Sequence, residues 1–204
     1  MLRLREGLTL YFCRHGETEA NVEKRFQGLT IDTPLTPKGR EQSRAVALLL
    51  KQAAPSFPAL DYVSSPLGRA RATMELIREA LDLPVKRYTT DARLQEIDLG
   101  EWDGLTDAEA RARDPVLFEK RGSDKWDVRV PGGENYADVA ARAERWIADL
   151  AADTFAVSHG AFTRILRGLF QGLTWKAMSD LDERQGVLFC VRGSTVTRLE
   201  NRAN

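Results

Sequence analysis

Two short apolar runs, residues 8–13 and 154–158, each lead into a histidine followed by glycine, as Phe12-Cys13-Arg14-His15-Gly16 and Val157-Ser158-His159-Gly160. The chain has no other histidine. Both runs read as buried strands, and helix-period segments fall between them, so the order of elements alternates. Alternation of this kind points to an α/β fold with a largely parallel sheet. In such sheets ligands bind beyond the carboxyl ends of the strands, which is where both histidines fall. Each following glycine allows close backbone approach. Gly160 also opens a helix whose free N–H groups favour an anion.

Local signals fill in the rest. Thr36-Pro37 reads as an N-cap and first helical residue, Val46, Leu49, Leu50 and Ala53 share one face, and Pro55 marks the stop. Residues 60–64 read as a second strand. Ser65-Pro66 repeats the cap-then-proline signal, followed by an apolar stripe of Ala70, Thr73, Met74, Ile77 and Leu81. Residues 84–88 suggest a short third strand, and residues 107–113 a short helix. Residues 120–134 read as a long loop. Helical period returns at Val139, Ala143, Trp146 and Leu150, and another helix starts near Ala161. Residues 187–192 and 195–199 flank Gly193-Ser194, which suits a type II′ hairpin at an antiparallel edge. No linker divides the chain, so one domain over 1–204 is expected.

Composition narrows the partners. The 204 residues carry 30 Lys plus Arg against 30 Asp plus Glu, a balance that argues against nucleic acid or an anionic membrane surface. Cys13 and Cys190 lie inside strand-like runs and read as reduced core thiols. The N-terminal apolar stretch is too short for a signal-peptide core or a membrane span, so a cytoplasmic location is expected.

Arginine adds to the histidine pattern. Arg14 precedes His15, and Arg69 lies one turn into the helix after the second strand. A guanidinium fork matches phosphate oxygens. The runs Arg14-His15-Gly16-Glu17-Thr18-Glu19-Ala20-Asn21, Arg25-Phe26-Gln27-Gly28, Ser64-Ser65-Pro66-Leu67-Gly68-Arg69-Ala70, Leu94-Gln95-Glu96-Ile97-Asp98-Leu99-Gly100-Glu101-Trp102-Asp103-Gly104, Pro131-Gly132-Gly133-Glu134 and Ser158-His159-Gly160 come in that order. They resemble the motif blocks of the histidine phosphatase superfamily, which includes phosphoglycerate mutases and phosphatases.

The resemblance implies a three-layer α/β/α sandwich with a mostly parallel central sheet. It implies that His15 is the phosphate-accepting nucleophile, that Glu96 is the proton donor and acceptor, and that Arg14, Arg69 and His159 hold the phosphoryl group. Asn21, Gln27, Gly28 and Gly160 fall at matching positions near the substrate. No metal or other cofactor is called for, and the partner is a small phosphate ester. Asp98, Glu101 and Asp103 rival Glu96 on chemistry alone, and Glu17 reads as support for His15. In cofactor-dependent mutases of the family an arginine follows the acid and the middle segment is longer. Here Ile97 follows Glu96 and the middle is short, which favours hydrolysis. Mutase-type transfer is the runner-up, and a non-catalytic phosphate-binding module the third reading. The loop 122–129, with Lys125, Trp126 and Arg129, reads as a surface loop whose tryptophan packs on the core, with a substrate-selecting lid as the alternative. Trp102 and Phe26 are either pocket or packing aromatics.

Overall fold

The computed structural model describes residues 1–200. Six strands form one sheet in the order β3-β2-β4-β1-β5-β6. They are β1 (Thr9–Arg14), β2 (Asp61–Ser64), β3 (Thr89–Thr90), β4 (Thr154–Ser158), β5 (Leu188–Arg192) and β6 (Thr195–Leu199). β1, β2, β3 and β4 run parallel, while β5 pairs antiparallel with both β1 and β6. The helices are α1 (Glu19–Val22), α2 (Pro37–Ala53), α3 (Gly68–Ala80), α4 (Asp107–Arg113), α5 (Pro115–Ser123), α6 (Tyr136–Ala148), α7 (Gly160–Gln171) and α8 (Trp175–Ser179). The expected single unit includes residues 201–204, which lie outside the described residues.

Alternation along β1 builds the three layers. Tyr11 and Cys13 face one way, against Val46, Leu49 and Leu50 of α2 and Met74 and Ile77 of α3. Leu10 and Phe12 face the other way, against Trp146 of α6 and Phe162, Ile165 and Phe170 of α7. Successive strand side chains point to opposite faces, so a strand buried on both sides is apolar throughout. That is why residues 8–13 and 154–158 read as continuous runs. Cys13 and Cys190 are buried and unpaired, as expected of core thiols. Among the described residues no helix is long and apolar enough to cross a membrane.

Thr36 caps α2 by accepting from Gly39 N–H at 3.0 Å, with Pro37 in the first turn. The hairpin turn places Gly193 at φ +60° while Ser194 stays at negative φ, the combination a type II′ turn requires.

Three local readings differ from the structure. Ser65 does not cap a helix. α3 starts at Gly68, and its first N–H groups, from Gly68 and Arg69, donate to Asp32 at 2.5 and 3.1 Å. That cap comes from a carboxylate 36 residues away, beyond the reach of local pattern. Residues 84–88 are a turn, with Arg87 N–H donating to Pro84 carbonyl at 3.1 Å, and the third strand is Thr89–Thr90. Residues 120–123 close α5 rather than open a loop. Asp114 accepts from Leu117 N–H at 2.9 Å and Pro115 takes the first helical position, a cap-and-proline start that lies before the segment read as a loop.

Candidate active site

Three neighbouring strands bring their carboxyl ends together. β2, β4 and β1 lie side by side, and the residues that follow them are Ser65, His159 and His15. Two backbone bonds continue the ladder past the strands: Ser65 N–H donates to Val157 carbonyl, and His15 N–H to Ser158 carbonyl, both at 2.9 Å. The histidine rings stand edge to face, centroids 5.1 Å apart. Both are buried, at 2% exposure for His15 and 0% for His159.

The His15 ring is oriented by Nδ1, which lies 2.8 Å from the Gly16 carbonyl. A carbonyl oxygen only accepts, so Nδ1 carries the proton and Nε2 keeps its lone pair. Burial first, then the charges of Arg14 and Arg69, hold the imidazole well below the ordinary histidine range; the Gly16 bond pulls weakly the other way. His15 is therefore neutral at physiological pH. Gly16 N–H donates to Thr73 Oγ1 at 3.0 Å, and Thr73 donates to the Arg69 carbonyl at 2.9 Å, which pins the histidine turn to α3. A Cβ on Gly16 would run into the backbone of Gly39, and a Cβ on Gly39 into that of Glu17. The glycines therefore allow a backbone-to-backbone contact between the histidine turn and the start of α2.

His159 Nε2 lies 2.7 Å from Ser65 Oγ. Its Nδ1 is buried without a partner, as are Nε of Arg14 and Nε of Arg69. Buried polar atoms are normally satisfied, so unpaired donors call for an explanation. Three of them belong to the residues that sequence reading assigned to phosphate.

Arg69 does a second job. Its guanidinium donates to the carbonyls of Ile31, Gln27 and Gly28 at 3.0, 3.1 and 2.8 Å. It also pairs with Asp32 at 3.3 Å. It thus fixes loop 27–32 against α3. Gly28 differs from the expectation of a ligand contact. Its N–H donates to Asp103 at 2.6 Å and its carbonyl accepts from Arg69, so both backbone groups are committed within the protein. Gln27 is held likewise, accepting from Thr18 hydroxyl at 2.8 Å and donating to Thr33 at 3.1 Å. Asn21 Oδ1 accepts from Thr18 N–H and from Gln185 Nε2, which leaves its Nδ2 as the remaining donor.

Glu96 is 8% exposed. Its Oε1 accepts from the N–H groups of Ile97, Ala161 and Phe162 at 2.9, 3.1 and 3.4 Å. The anion that the α7 N-terminus attracts is therefore this carboxylate, and Gly160 packs against the carboxyl group of Glu183. Burial, and after it the Glu183 charge, push Glu96 above the ordinary carboxylate range, against the Ile97 N–H, Arg14 and Arg69. Its rivals are spent elsewhere. Asp98 accepts from Gly100 N–H in a turn, Glu101 pairs with exposed Arg113, and Asp103 clamps Gly28 and Thr30. Glu17 accepts from Thr36 and Lys38, which keeps it ionised and occupied.

Several residues escaped the sequence reading. Ser65 carried the same strand-end signal as the histidines but was read as a cap. Arg142 of α6 donates to the carbonyls of Arg93, Gln95 and Glu96 and pairs with Glu134, holding the acid-bearing loop. Glu183 accepts from Arg14 through its carbonyl at 2.7 Å and from Arg164 through its carboxylate at 2.9 Å. These contacts are long-range and leave no local pattern. Trp126 packs on the core, and Trp102 is buried in a stack with Phe26 at 6.1 Å between centroids, so these aromatics serve packing. A cleft of about 820 Å³ lies near the amino ends of β2 and β4, lined by Asp61, Arg78, Arg93 and Thr154 among others, at the end of these strands opposite to the histidines.

Residues 10–192 match the model of the histidine phosphatase superfamily, branch 1. The chain belongs to that superfamily. This histidine phosphatase is 33% identical over 176 residues to the "Probable phosphoglycerate mutase GpmB" of Salmonella paratyphi C, covering 81% of this chain and 76% of the relative. Its fold matches that of Bacillus stearothermophilus YhfR with a TM-score of 0.78 at 29% identity, over 94% of this chain and 95% of that one. It is also similar to mycobacterial glucosyl-3-phosphoglycerate phosphatase complexed with VO3, with a TM-score of 0.76 at 30% identity over 96% and 98% of the two chains.

Proposed function

We propose that this histidine phosphatase hydrolyses a phosphate monoester through a phosphohistidine on His15. The observation that carries the reading is the Nδ1–Gly16 carbonyl bond of 2.8 Å, which leaves Nε2 as a buried, neutral nucleophile. In the first step the Nε2 lone pair attacks phosphorus and the ester P–O bond breaks. The proton of Glu96 passes to the departing alkoxide. Arg14 Nε, Arg69 Nε and His159 Nδ1 supply donors for the equatorial oxygens as charge spreads over them. His159 then has Ser65 hydroxyl donating to its Nε2. In the second step Glu96 takes a proton from water as the oxygen bonds to phosphorus and the N–P bond breaks. Inorganic phosphate leaves and His15 returns neutral. No metal enters these steps, the substrate is a small phosphate ester, and a cytoplasmic enzyme fits the reading.

Turnover of an aryl phosphate with chelator present, together with acid-labile label on the protein, tests the proposal. Label is expected in the wild type and absent in His15→Ala. Label retained in His15→Ala would sink the assignment. Mutase-type transfer is the second reading, favoured by the 33% identity to a relative bearing that name. Isomerisation of phosphoglycerate outpacing its hydrolysis would establish it instead.

A further inference from the structure

β3 holds only Thr89 and Thr90, which pair with Val63 and Ser64, so the amino half of β2, Asp61 and Tyr62, has no strand beside it on that side. Residues 84–88 turn instead of extending β3, and the cleft of about 820 Å³ opens there. Half-buried Leu83 and Leu150 give it apolar wall. Clefts of this size that combine apolar walls with a few placed polar groups suit small molecules.

Arg78 of α3 lines the cleft and is 4% exposed. Its Nε donates to the Pro84 carbonyl at 2.9 Å, and its guanidinium carbon stands 4.3 Å from the centroid of the Tyr62 ring. Tyr62 is held in turn, its hydroxyl donating to the Phe57 carbonyl at 2.8 Å. The bond and the stack fix the plane of the guanidinium. Neither Nη1 nor Nη2 has a hydrogen-bond or ion-pair partner among the described residues. Such a fork takes two oxygens of a carboxylate or phosphate in parallel bonds. A buried cation left unpaired costs free energy that an arriving anion offsets.

The other charges of the cleft do not supply that anion. Arg93 is paired with Asp91 at 2.8 Å and with Asp149 at 2.5 Å, and Lys86 with Glu75 at 2.7 Å. Among the described residues Asp61 and Arg87, both exposed, have no ion-pair partner. Two unpaired cations, Arg78 and Arg87, therefore face one unpaired carboxylate. Burial lowers the Arg78 guanidinium from its ordinary value, and the Arg87 charge adds to this against the pull of Tyr62.

We propose that Arg78 anchors a ligand site in this cleft, one that takes the carboxylate or phosphate group of a small organic anion and lays its apolar body along Leu83 and Leu150. Arg87 adds a single charge from the rim. The histidines lie at the other end of the strands, so the site is separate from the His15 chemistry and stands whether or not that chemistry holds.

Proton–nitrogen correlation NMR with benzoate, phenylphosphonate and the neutral control benzamide tests the site, read on the indole N–H of Trp146, which lines the cleft. At least one anion is expected to move that signal with an affinity about tenfold or more above that of benzamide, as a charge-assisted fork implies. Whichever anion binds tighter names the group. Its affinity is expected to fall about tenfold in Arg78→Gln, which removes the fork, and about threefold in Arg87→Gln, which removes an exposed charge. Thermal melting checks folding, and the exposed Arg87 position carries the test if Arg78→Gln does not fold. His15→Ala is expected to leave the titration as it is. A Trp146 signal that no probe moves, equal affinity for the anions and benzamide, or an affinity unchanged in Arg78→Gln (in Arg87→Gln where the former does not fold) would overturn the proposal. So would a titration lost in His15→Ala, which would place the anion at the histidines instead.

Discussion

Replacing Glu96 by Gln separates its chemical role from its structural one. Its Oε1 accepts three N–H groups, and a glutamine carbonyl can take the same place. The Oε2 position becomes an amide nitrogen facing Ala161 N–H, now 3.3 Å away, so one weak bond turns into two opposed donors. That costs about 1 kcal/mol, and replacing a buried carboxyl driven toward its neutral form by a neutral amide offsets part of it. The melting temperature should therefore move by only about 2–4 °C for a chain of this length. Activity should respond very differently. Losing a positioned general acid costs roughly 10²–10⁴-fold for an alkyl ester, whose leaving oxygen must be protonated. An activated aryl ester departs as the anion and should form phosphohistidine at a rate much closer to wild type. Because the same carboxyl deprotonates the attacking water, phosphohistidine should then persist in Glu96→Gln. Single-turnover kinetics with both esters, with the acid-labile label followed in time, measure each step. Equal losses for the two leaving groups, or no build-up of label, would refute the two-step role of Glu96.

The remaining predictions concern the frame around the pocket. Arg69→Met leaves the carbonyls of Gln27, Gly28 and Ile31 without their guanidinium donor, while Asp32 keeps the two backbone N–H groups at the start of α3, and should destabilise the fold by about 1–3 kcal/mol for each carbonyl left buried and unpaired, read in a denaturant titration. Gly39→Ala drives a methyl into the Glu17 backbone, and a marked drop in folded yield or melting temperature is expected; unchanged stability would mean the close approach is misread. The pH profile of kcat/KM should be a bell with its acid limb below pH 6.5, from His15, and its alkaline limb above the ordinary carboxylate range, from Glu96. In Glu183→Gln the alkaline limb should move to lower pH, because a charge that raises Glu96 is gone. Stability should fall on acidification from pH 7 to 5. The unfolded chain takes up protons on His15 and His159 near their ordinary ~6.5 while the folded chain does not, at up to ~1.4 kcal/mol per pH unit for each. Glu96, raised in the folded state, opposes this with a contribution that is full in acid and fades as pH rises through its folded value. Denaturant midpoints at the two pH values check the sum, and a midpoint that rises on acidification would contradict it.

Local pattern was enough wherever the deciding contacts were local. The apolar runs of β1 and β4 are buried on both faces by the helices that pack there, so the strands and their strand-end histidines were legible, with β1 lying one residue further along than the run 8–13. The Thr36-Pro37 start of α2 and the Gly193 turn were legible because each depends on a few adjacent residues. Motif order named His15, Arg14, Arg69, Glu96 and His159, and the fold brings them close enough beyond the carboxyl ends of the strands for their charges to act on one another.

The tertiary structure decided what depends on distance. Asp32 caps α3 across 36 residues, which freed Ser65 to meet His159. Arg69 proved to hold the 27–32 loop through its Nη groups while its Nε stays buried without a partner, and Gly28 to be bound within the protein. Glu96 was distinguished from Asp98, Glu101 and Asp103 by burial against the α7 N-terminus, a property of packing that four nearby acidic letters do not carry. Glu183, Arg164 and Lys125 come from separate stretches of chain, and their charges combine only when the segment after α5, α7 and the loop before β5 pack together. Coulomb interaction depends on separation in space, so sequence could supply the charges but not their sum at one point. The two strand-end histidines therefore pointed to an anion site, while the burial of Glu96 and the tautomer of His15 were set by the fold.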